Sequence, residues 1–289
     1  HEHAVSNATW TLPAHASIFT GTVPRRHGAR GREPSDPQTG FLIAPMSREM
    51  PTLPQLLRAG GYRTGAFVAN FSALAPDLGF ARGFDEYSFE PRSVAIVRPA
   101  LGALLELAMP ARYAAFVRPF RSAPEVTAGA LDWLDAGDGR PGFLFLNYME
   151  AHNPYQPPPP FHGMFGRLPG MADDVLVPWS WLAHTRERMF RNDEPLPPEL
   201  REHFVAAYDE SLRYLDDQLG RLLAGLERRG RFEDSLIVIT SDHGELFGEH
   251  DLVEHSCDPY EGLTHVPLVV RHPGEGRGAR VSDRLPLSP

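Results

Sequence analysis

Lysine is absent from the 289 residues, and cysteine occurs once, at Cys257. Every cationic side chain other than histidine is therefore arginine, so no lysine can anchor an anion or serve as a general base. A lone cysteine excludes an internal disulfide and leaves the redox compartment unread. No apolar run approaches the roughly 20 residues that cross a bilayer, which leaves only contact with a membrane surface open. With 28 basic and 37 acidic side chains the net charge is −9. That balance argues against a nucleic-acid partner, because such surfaces are normally basic. The chain opens at His1 without a charged and apolar leader and ends at Leu285-Pro286-Leu287-Ser288-Pro289 without a helix stop or terminal strand. It reads as a piece of a longer protein whose compartment is not legible.

What is present alternates. Leu53 to Ala59 has helical spacing and meets a stop at Gly60-Gly61, and Tyr62 to Ala69 follows as a short buried strand. Val126 to Leu134 predicts a helix and Gly142 to Asn147 a buried strand. Leu200 to Arg228 carries an apolar stripe through Phe204, Ala207, Tyr208, Leu212, Leu215, Leu219 and Leu222. Ser235 to Thr240 and Val266 to Val270 complete the strands. Repeated helix and strand, with continuously apolar strands, predicts an α/β fold: a mostly parallel central sheet with helices on both faces. We read 1–289 as a single domain with variable insertions at about 91–122 and 156–200. The first is apolar with arginines at intervals and predicts one or two amphipathic helices. The second is proline-rich, carries Trp179 and Trp181, and predicts a long excursion over the surface. Residues 22–50, rich in Gly, Pro, Arg and Ser, read as an irregular loop.

In such sheets ligands collect at the carboxyl ends of the strands, and three polar clusters fall there. Thr11 precedes Pro13 by two residues and so marks a helix start, with Gly21 as the stop. A hydroxyl at that place sits among unpaired backbone N–H groups at the positive end of the helix dipole, which favours a phosphate- or sulfate-like group. Thr is also an ordinary N-cap. His15 lies one turn on, on the same face. His152 follows the strand ending at Asn147. Asp242 and His243 follow the strand ending at Thr240, with Glu249, His250, Glu254 and His255 behind them. Hard oxygen with borderline nitrogen suits Mn, Zn or Fe better than Ca.

The run Thr11-Leu12-Pro13-Ala14-His15-Ala16-Ser17-Ile18-Phe19-Thr20-Gly21, with Pro24 and His27-Gly28, resembles the nucleophile signature of the sulfatases in the alkaline phosphatase superfamily. The likeness continues through Leu53 to Thr64, Gly83-Phe84-Asp85, Asn147 to Tyr155 and Tyr208-Asp209-Glu210. It is strongest at Thr240-Ser241-Asp242-His243-Gly244-Glu245 and Gly248-Glu249-His250, and ends with His255-Ser256 and Val266-Pro267-Leu268. The resemblance implies an alkaline-phosphatase-like fold lacking its first strand. It places Thr11 at the nucleophile and Asp242 and His243 on a divalent metal, with Thr11 beside them. Manganese or zinc is favoured, with magnesium and calcium as alternatives. It places His152 and His255 on the ester's terminal oxygens or leaving group, and His15 where cysteine-type sulfatases carry arginine.

The departures narrow the chemistry. Formylglycine needs a cysteine in place of Thr11, and Cys257 is elsewhere, so that route is excluded. His255 stands where the family has an anion-binding lysine. Thr-x-Pro-x-His is similar to the threonine branches, the nucleotide pyrophosphatase/phosphodiesterases and the phosphoglycerol and phosphoethanolamine transferases, which act on phosphate esters. The helix over 200–228 has no counterpart of the ligands that hold a second zinc in two-zinc diesterases, which implies one metal. The family's further acidic ligands come from a strand upstream of the nucleophile, before residue 1. The expectation is a metal-dependent hydrolase of small anionic esters acting through a covalent Thr11 intermediate. In it the metal lowers the pKa of the Thr11 hydroxyl and His152 or His255 protonates the leaving oxygen. A transferase, with an alcohol in place of water, and a degenerate anion-binding domain are the alternatives.

Overall fold

In a computed structural model of the chain, the described residues are 1–32, 42–90, 120–153, 155–166, 195–255, 258–274, 278–282 and 284–286. Most of the insertion expected at 91–122, and 167–194 of the second, lie outside them. In chain order the elements are β1 (His3–Val5), α1 (Thr11–Thr20), α2 (Pro24–His27), β2 (Arg30–Arg32), β3 (Leu42–Ala44), α3 (Leu53–Ala59), β4 (Arg63–Val68) and β5 (Glu86–Phe89). There follow α4 (Ala123–Asp135), β6 (Gly142–Asn147), α5 (Pro198–Arg228), β7 (Ile237–Thr240), β8 (Leu246–Phe247), β9 (Val253–Glu254), α6 (Glu261–Thr264), β10 (His265–Val266), β11 (Leu268–Arg271) and β12 (Arg284–Pro286).

The centre is a parallel sheet in the order β5-β4-β6, with β4 in register on β6 from Arg63 opposite Gly142 to Val68 opposite Asn147. Because side chains alternate along a strand, these apolar strands supply two cores. Ala66, Val68, Phe143 and Phe145 face Leu12, Ala16 and Phe19 of α1. Phe67, Leu144 and Leu146 face Val126, Ala130 and Trp133 of α4. Helices therefore cover both faces, and the fold is the expected α/β class. Phe19 is the hub of the first core: its ring lies 4.9 Å from Phe145 and 5.8 Å from Phe80, both edge-on. Such pairs add about 0.5–1.5 kcal/mol each beyond area burial.

Three local readings change. β7 and β11 pair antiparallel, Leu268 opposite Thr240, and the strand expected over 266–270 is two strands. Pro267 has no N–H to donate, so β10 ladders to β1 while β11 ladders to β7. β6 and β7, expected to be fully buried, are half-buried, and Val238 is 54% exposed. Among the described residues each ladders on one side only, β6 to β4 and β7 to β11. Inside the loop expected at 22–50, Arg30–Arg32 and Leu42–Ala44 form an antiparallel pair, each strand too short to show a period.

The Gly83-Phe84-Asp85 motif serves the fold. The Thr64 hydroxyl donates to the Gly83 carbonyl at 2.8 Å and accepts from the Asp85 N–H at 2.9 Å. Asp85 also pairs with Arg58 at 2.8 Å. Together they lock β4 to the turn before β5.

His27, fully buried at the end of α2, accepts the Ala29 N–H on Nδ1 at 3.1 Å, so its Nε2–H donates to Ser17 Oγ at 3.1 Å. Burial pushes its pKa down from 6.5 to about 4, against a smaller opposing pull from the Pro13 carbonyl. A proton therefore binds the unfolded chain first. His27's contribution is fully present above pH 6.5 and is lost as pH falls through 6.5 toward 4, to the extent of about 2–3 kcal/mol. We predict that His27→Gln is less stable than wild type at pH 7.5 and that the gap closes toward pH 4.5 in urea denaturation. A gap independent of pH would contradict this. A second prediction concerns Gly65, where a Cβ would lie 2.6 Å from Trp133 Cε2. Gly65→Ala should lose about 1–3 kcal/mol by overpacking, read as a lower urea midpoint, and an unchanged midpoint would refute it.

Candidate active site

Thr11 is the first residue of α1, and Gly21 closes the helix in the left-handed region with its N–H on Ser17 O at 2.8 Å. Helix geometry leaves the Thr11 and Leu12 N–H groups without intrahelical acceptors, and Pro13 has no N–H at all. Thr11 thus starts the helix as the sequence indicates, though from inside the first turn and not as the N-cap. It is 7% exposed.

The loop leaving β7 brings Asp242 and His243 against it. His243 Nδ1–H donates to the Gly244 carbonyl at 2.8 Å, which leaves Nε2 bare. Nε2 stands 3.4 Å from Thr11 Oγ1, which donates to it, and 3.5 Å from Asp242 Oδ2. His15 Nδ1–H is shared between the Thr11 carbonyl at 3.0 Å and Asp242 Oδ2 at 3.2 Å. Ser6 Oγ donates to the Asp242 carbonyl. Burial alone would raise the Asp242 carboxyl, but the electrostatic pull of the neighbouring His243 and His15 rings and the hydrogen bond from His15 outweigh it. Asp242 is held well below the usual carboxylate range. Gly244 is fixed by a close approach, since a Cβ there would lie 2.1 Å from the Gly262 carbonyl oxygen.

A second half of the site flanks the first. The His255 ring lies 4.3 Å from the His243 ring and 5.1 Å from the His152 ring. His152, in the turn after β6, donates from Nδ1 to the Asn153 carbonyl at 2.7 Å. His255 Nδ1–H donates to Glu245 Oε1 at 3.0 Å, and Tyr155 OH donates to Glu245 Oε2 at 2.8 Å. Tyr155 packs edge-on to Tyr208 at 5.4 Å. Burial lowers His152, and the neighbouring His255 charge lowers it further. Burial also disfavours charge on His255, but the Glu245 hydrogen bond and charge raise it overall. Glu245 is raised by burial yet ends below its ordinary value through the His255 hydrogen bond and charge. Of two adjacent imidazoles, one is biased toward the cation and the other toward the neutral form.

Thr11, His15, His152, Asp242, His243 and His255 thus converge, as the three-cluster reading expects. That reading passed over Glu245, Tyr155 and Asn153. Glu245 follows Asp242 by three residues and was visible within the same run. Tyr155 and Asn153 gave no periodic signal, because the segment after β6 is a proline-rich turn. Asn153 is 1% exposed and donates from Nδ2 to Glu254 Oε1 at 3.1 Å, while its Oδ1 is buried without a partner among the described residues.

Among the described residues no group of three or more His, Cys, Asp and Glu side chains forms a cation site. The donors present suit one nonetheless: an ionised carboxylate oxygen beside a bare imidazole nitrogen, whose ring is oriented through its other nitrogen by a carbonyl. Asp242 and His243 supply two such donors, fewer than a coordination set needs.

Comparison with known proteins agrees with this geometry. The Sulfatase family profile matches residues 1–285. The multifunctional alkaline phosphatase superfamily protein PehA of Trinickia caryophylli is 30% identical over 183 residues, covering 56% of this chain and 34% of that protein. An arylsulfatase of Clostridium perfringens is 25% identical over 166 residues, covering 54% and 34%. The matched region spans about a third of the length of these relatives. Among solved structures, a phosphonate monoester hydrolase from Silicibacter pomeroyi has a TM-score of 0.64 at 24% identity, covering 99% of this chain and 63% of that one. That of Agrobacterium radiobacter has 0.62 at 20%, covering 94% and 60%. At these identities the structures speak to the fold, and the profile to the family: the chain belongs to the sulfatase family.

Proposed function

We propose that the chain carries the core of a metal-dependent ester hydrolase in which Thr11 is the nucleophile and the ester is a phosphate or phosphonate. The observation that carries this reading is Thr11 Oγ1 at the start of α1, 3.4 Å from a bare His243 Nε2. The absence of any cysteine at that position excludes formylglycine, the group that sulfate-ester cleavage uses in cysteine-type relatives.

The residues divide the work. The free N–H groups at the start of α1 offer donors to the equatorial oxygens of the group under attack. Asp242 and His243 would hold a divalent ion, manganese or zinc by donor type, which when bound lowers the pKa of the Thr11 hydroxyl and offsets the substrate's charge. His15 keeps Asp242 ionised and turned toward His243. His255 gives a proton to the departing oxygen, while neutral His152, its one N–H spent on the Asn153 carbonyl, presents a bare Nε2 that accepts hydrogen bonds and so does not donate to a terminal oxygen. Water then cleaves the Thr11 ester. With an alcohol in place of water the same steps are a transfer.

Two outcomes test this on the full-length protein. Thr11→Ala should lose at least about 1000-fold in kcat on aryl phosphate monoester, diester and phosphonate substrates, with an unchanged urea midpoint. Turnover equal to wild type would overturn the assignment of Thr11. Dialysis against a chelator should remove activity and Mn2+ or Zn2+ should restore it, whereas the Asp242→Asn protein should require at least about 10-fold more metal for half-maximal recovery. Full activity after exhaustive chelation would overturn the metal reading.

A further inference from the structure

Glu245 is a buried carboxylate beside the site that neither the nucleophile nor the metal uses, and both its oxygens are committed. Its side chain is 6% exposed, Oε1 receives His255 Nδ1–H at 3.0 Å, and Oε2 receives the Tyr155 hydroxyl at 2.8 Å. A carboxylate fixed on one side by a tyrosine and bonded on the other to an imidazole dictates which imidazole nitrogen carries the outward function. With Nδ1 engaged, Nε2 is the nitrogen of His255 left to act. The ring is also wedged between two others, 4.3 Å from His243 and 5.1 Å from His152, so it cannot reorient without displacing both. Tyr155 is itself braced by Tyr208 at 5.4 Å and Phe247 at 5.9 Å.

We propose that Glu245, oriented by Tyr155, is the positioning residue of His255, holding Nδ1–H inward so that Nε2 faces the leaving oxygen. This rests on the hydrolase reading above. In the step it serves, the bond from the transferred phosphorus to the leaving oxygen breaks, and its electron pair stays on that oxygen. The oxygen takes the proton from His255 Nε2, while a bond forms from phosphorus to Thr11 Oγ1, whose proton passes to bulk water. In the second step the attacking water gives a proton to His255, and Thr11 Oγ1 leaves with one from the solvent. Neither Glu245 nor Tyr155 exchanges a proton with substrate.

The test compares wild type, Glu245→Gln and Tyr155→Phe of the full-length protein on aryl phosphonates whose leaving phenols span a range of pKa. Glu245→Gln conserves shape and Tyr155→Phe removes one hydroxyl only, so both should keep the wild-type urea midpoint. For phenol as leaving group, Glu245→Gln should lower kcat about 10- to 100-fold, with KM within about threefold. For 2,4-dinitrophenol, which departs as an anion, kcat should change less than about threefold. Tyr155→Phe should follow in the same direction with a smaller loss. Imidazole 15N spectra of the wild type should show a proton on His255 Nδ1 that is lost or shifted in Glu245→Gln. A loss equal across leaving groups, an effect on KM alone, or a His255 ring with bare Nδ1 would overturn the inference. Wild type without Thr11-dependent turnover would overturn the reading beneath it. Wild-type turnover with an unaltered Glu245→Gln profile would overturn this inference alone.

Discussion

The N–H of His15 ties the start of α1 to the loop after β7. His15 Nδ1–H reaches the Thr11 carbonyl one turn back at 3.0 Å and Asp242 Oδ2, from the loop after β7, at 3.2 Å. The first contact is local and would form in any helix at this spacing. The second is not, for it fixes where the β7 loop stands relative to the start of α1. Everything placed on Thr11 follows from it: the 3.4 Å approach of His243, the charge state of Asp242, and the seat of His255 against His243. The core beneath makes the tie possible. Leu12, Ala16 and Phe19 hold α1 against β4 and β6, so the helix start cannot drift from the sheet edge where those loops emerge.

Glycine sets a second constraint, at the points where backbones meet. At Gly244 a side chain would collide with the Gly262 carbonyl, and this closeness lets the Gly244 N–H reach Leu263 O at 2.8 Å. The same peptide's carbonyl receives His243 Nδ1–H. One residue without a Cβ therefore decides which nitrogen of the neighbouring imidazole faces Thr11. Gly65 plays the matching part in the core, leaving room for the Trp133 indole over the sheet.

Much of this was legible in residue order. The apolar strands at 63–68 and 142–147 and the helix at 53–59 stand where spacing and glycine stops put them, because local period and tertiary burial agree there. His152, Asp242 and His243 were placed at one edge by the rule that polar residues just past strand ends gather there, and Thr11 by the helix start that Pro13 marks. The antiparallel turn of β11 was not legible, since Pro267 reads as an interruption without saying which partner each half takes. Glu245 hid for another reason. A glutamate beside a histidine-rich run looks like surface charge, and only the fold shows that its two oxygens are spent on His255 and Tyr155. Burial of that sort is a fact about distant segments, residues 155 and 255, and local pattern has no access to it.

If the proposed ester is the substrate, an acidic chain without lysine has to attract an anion, and the histidines offer the means. Net charge of −9 repels an anionic ester at long range, so the favourable field has to be short-ranged and made within the site. Helix amides supply part of it. The remainder comes from imidazoles, whose charge depends on their neighbours. The His152 and His255 rings, 5.1 Å apart, each disfavour a charge on the other. Glu245 settles the competition by favouring charge on His255, and that charge in turn lowers His152. The result is a ring biased toward carrying a proton beside one biased toward neutrality, the asymmetry on which the proposed proton transfer to the leaving oxygen rests. A lysine at residue 255 would bring a fixed charge but a poor acid near neutral pH. Imidazole with a carboxylate behind it brings both the charge and a proton that can be given away.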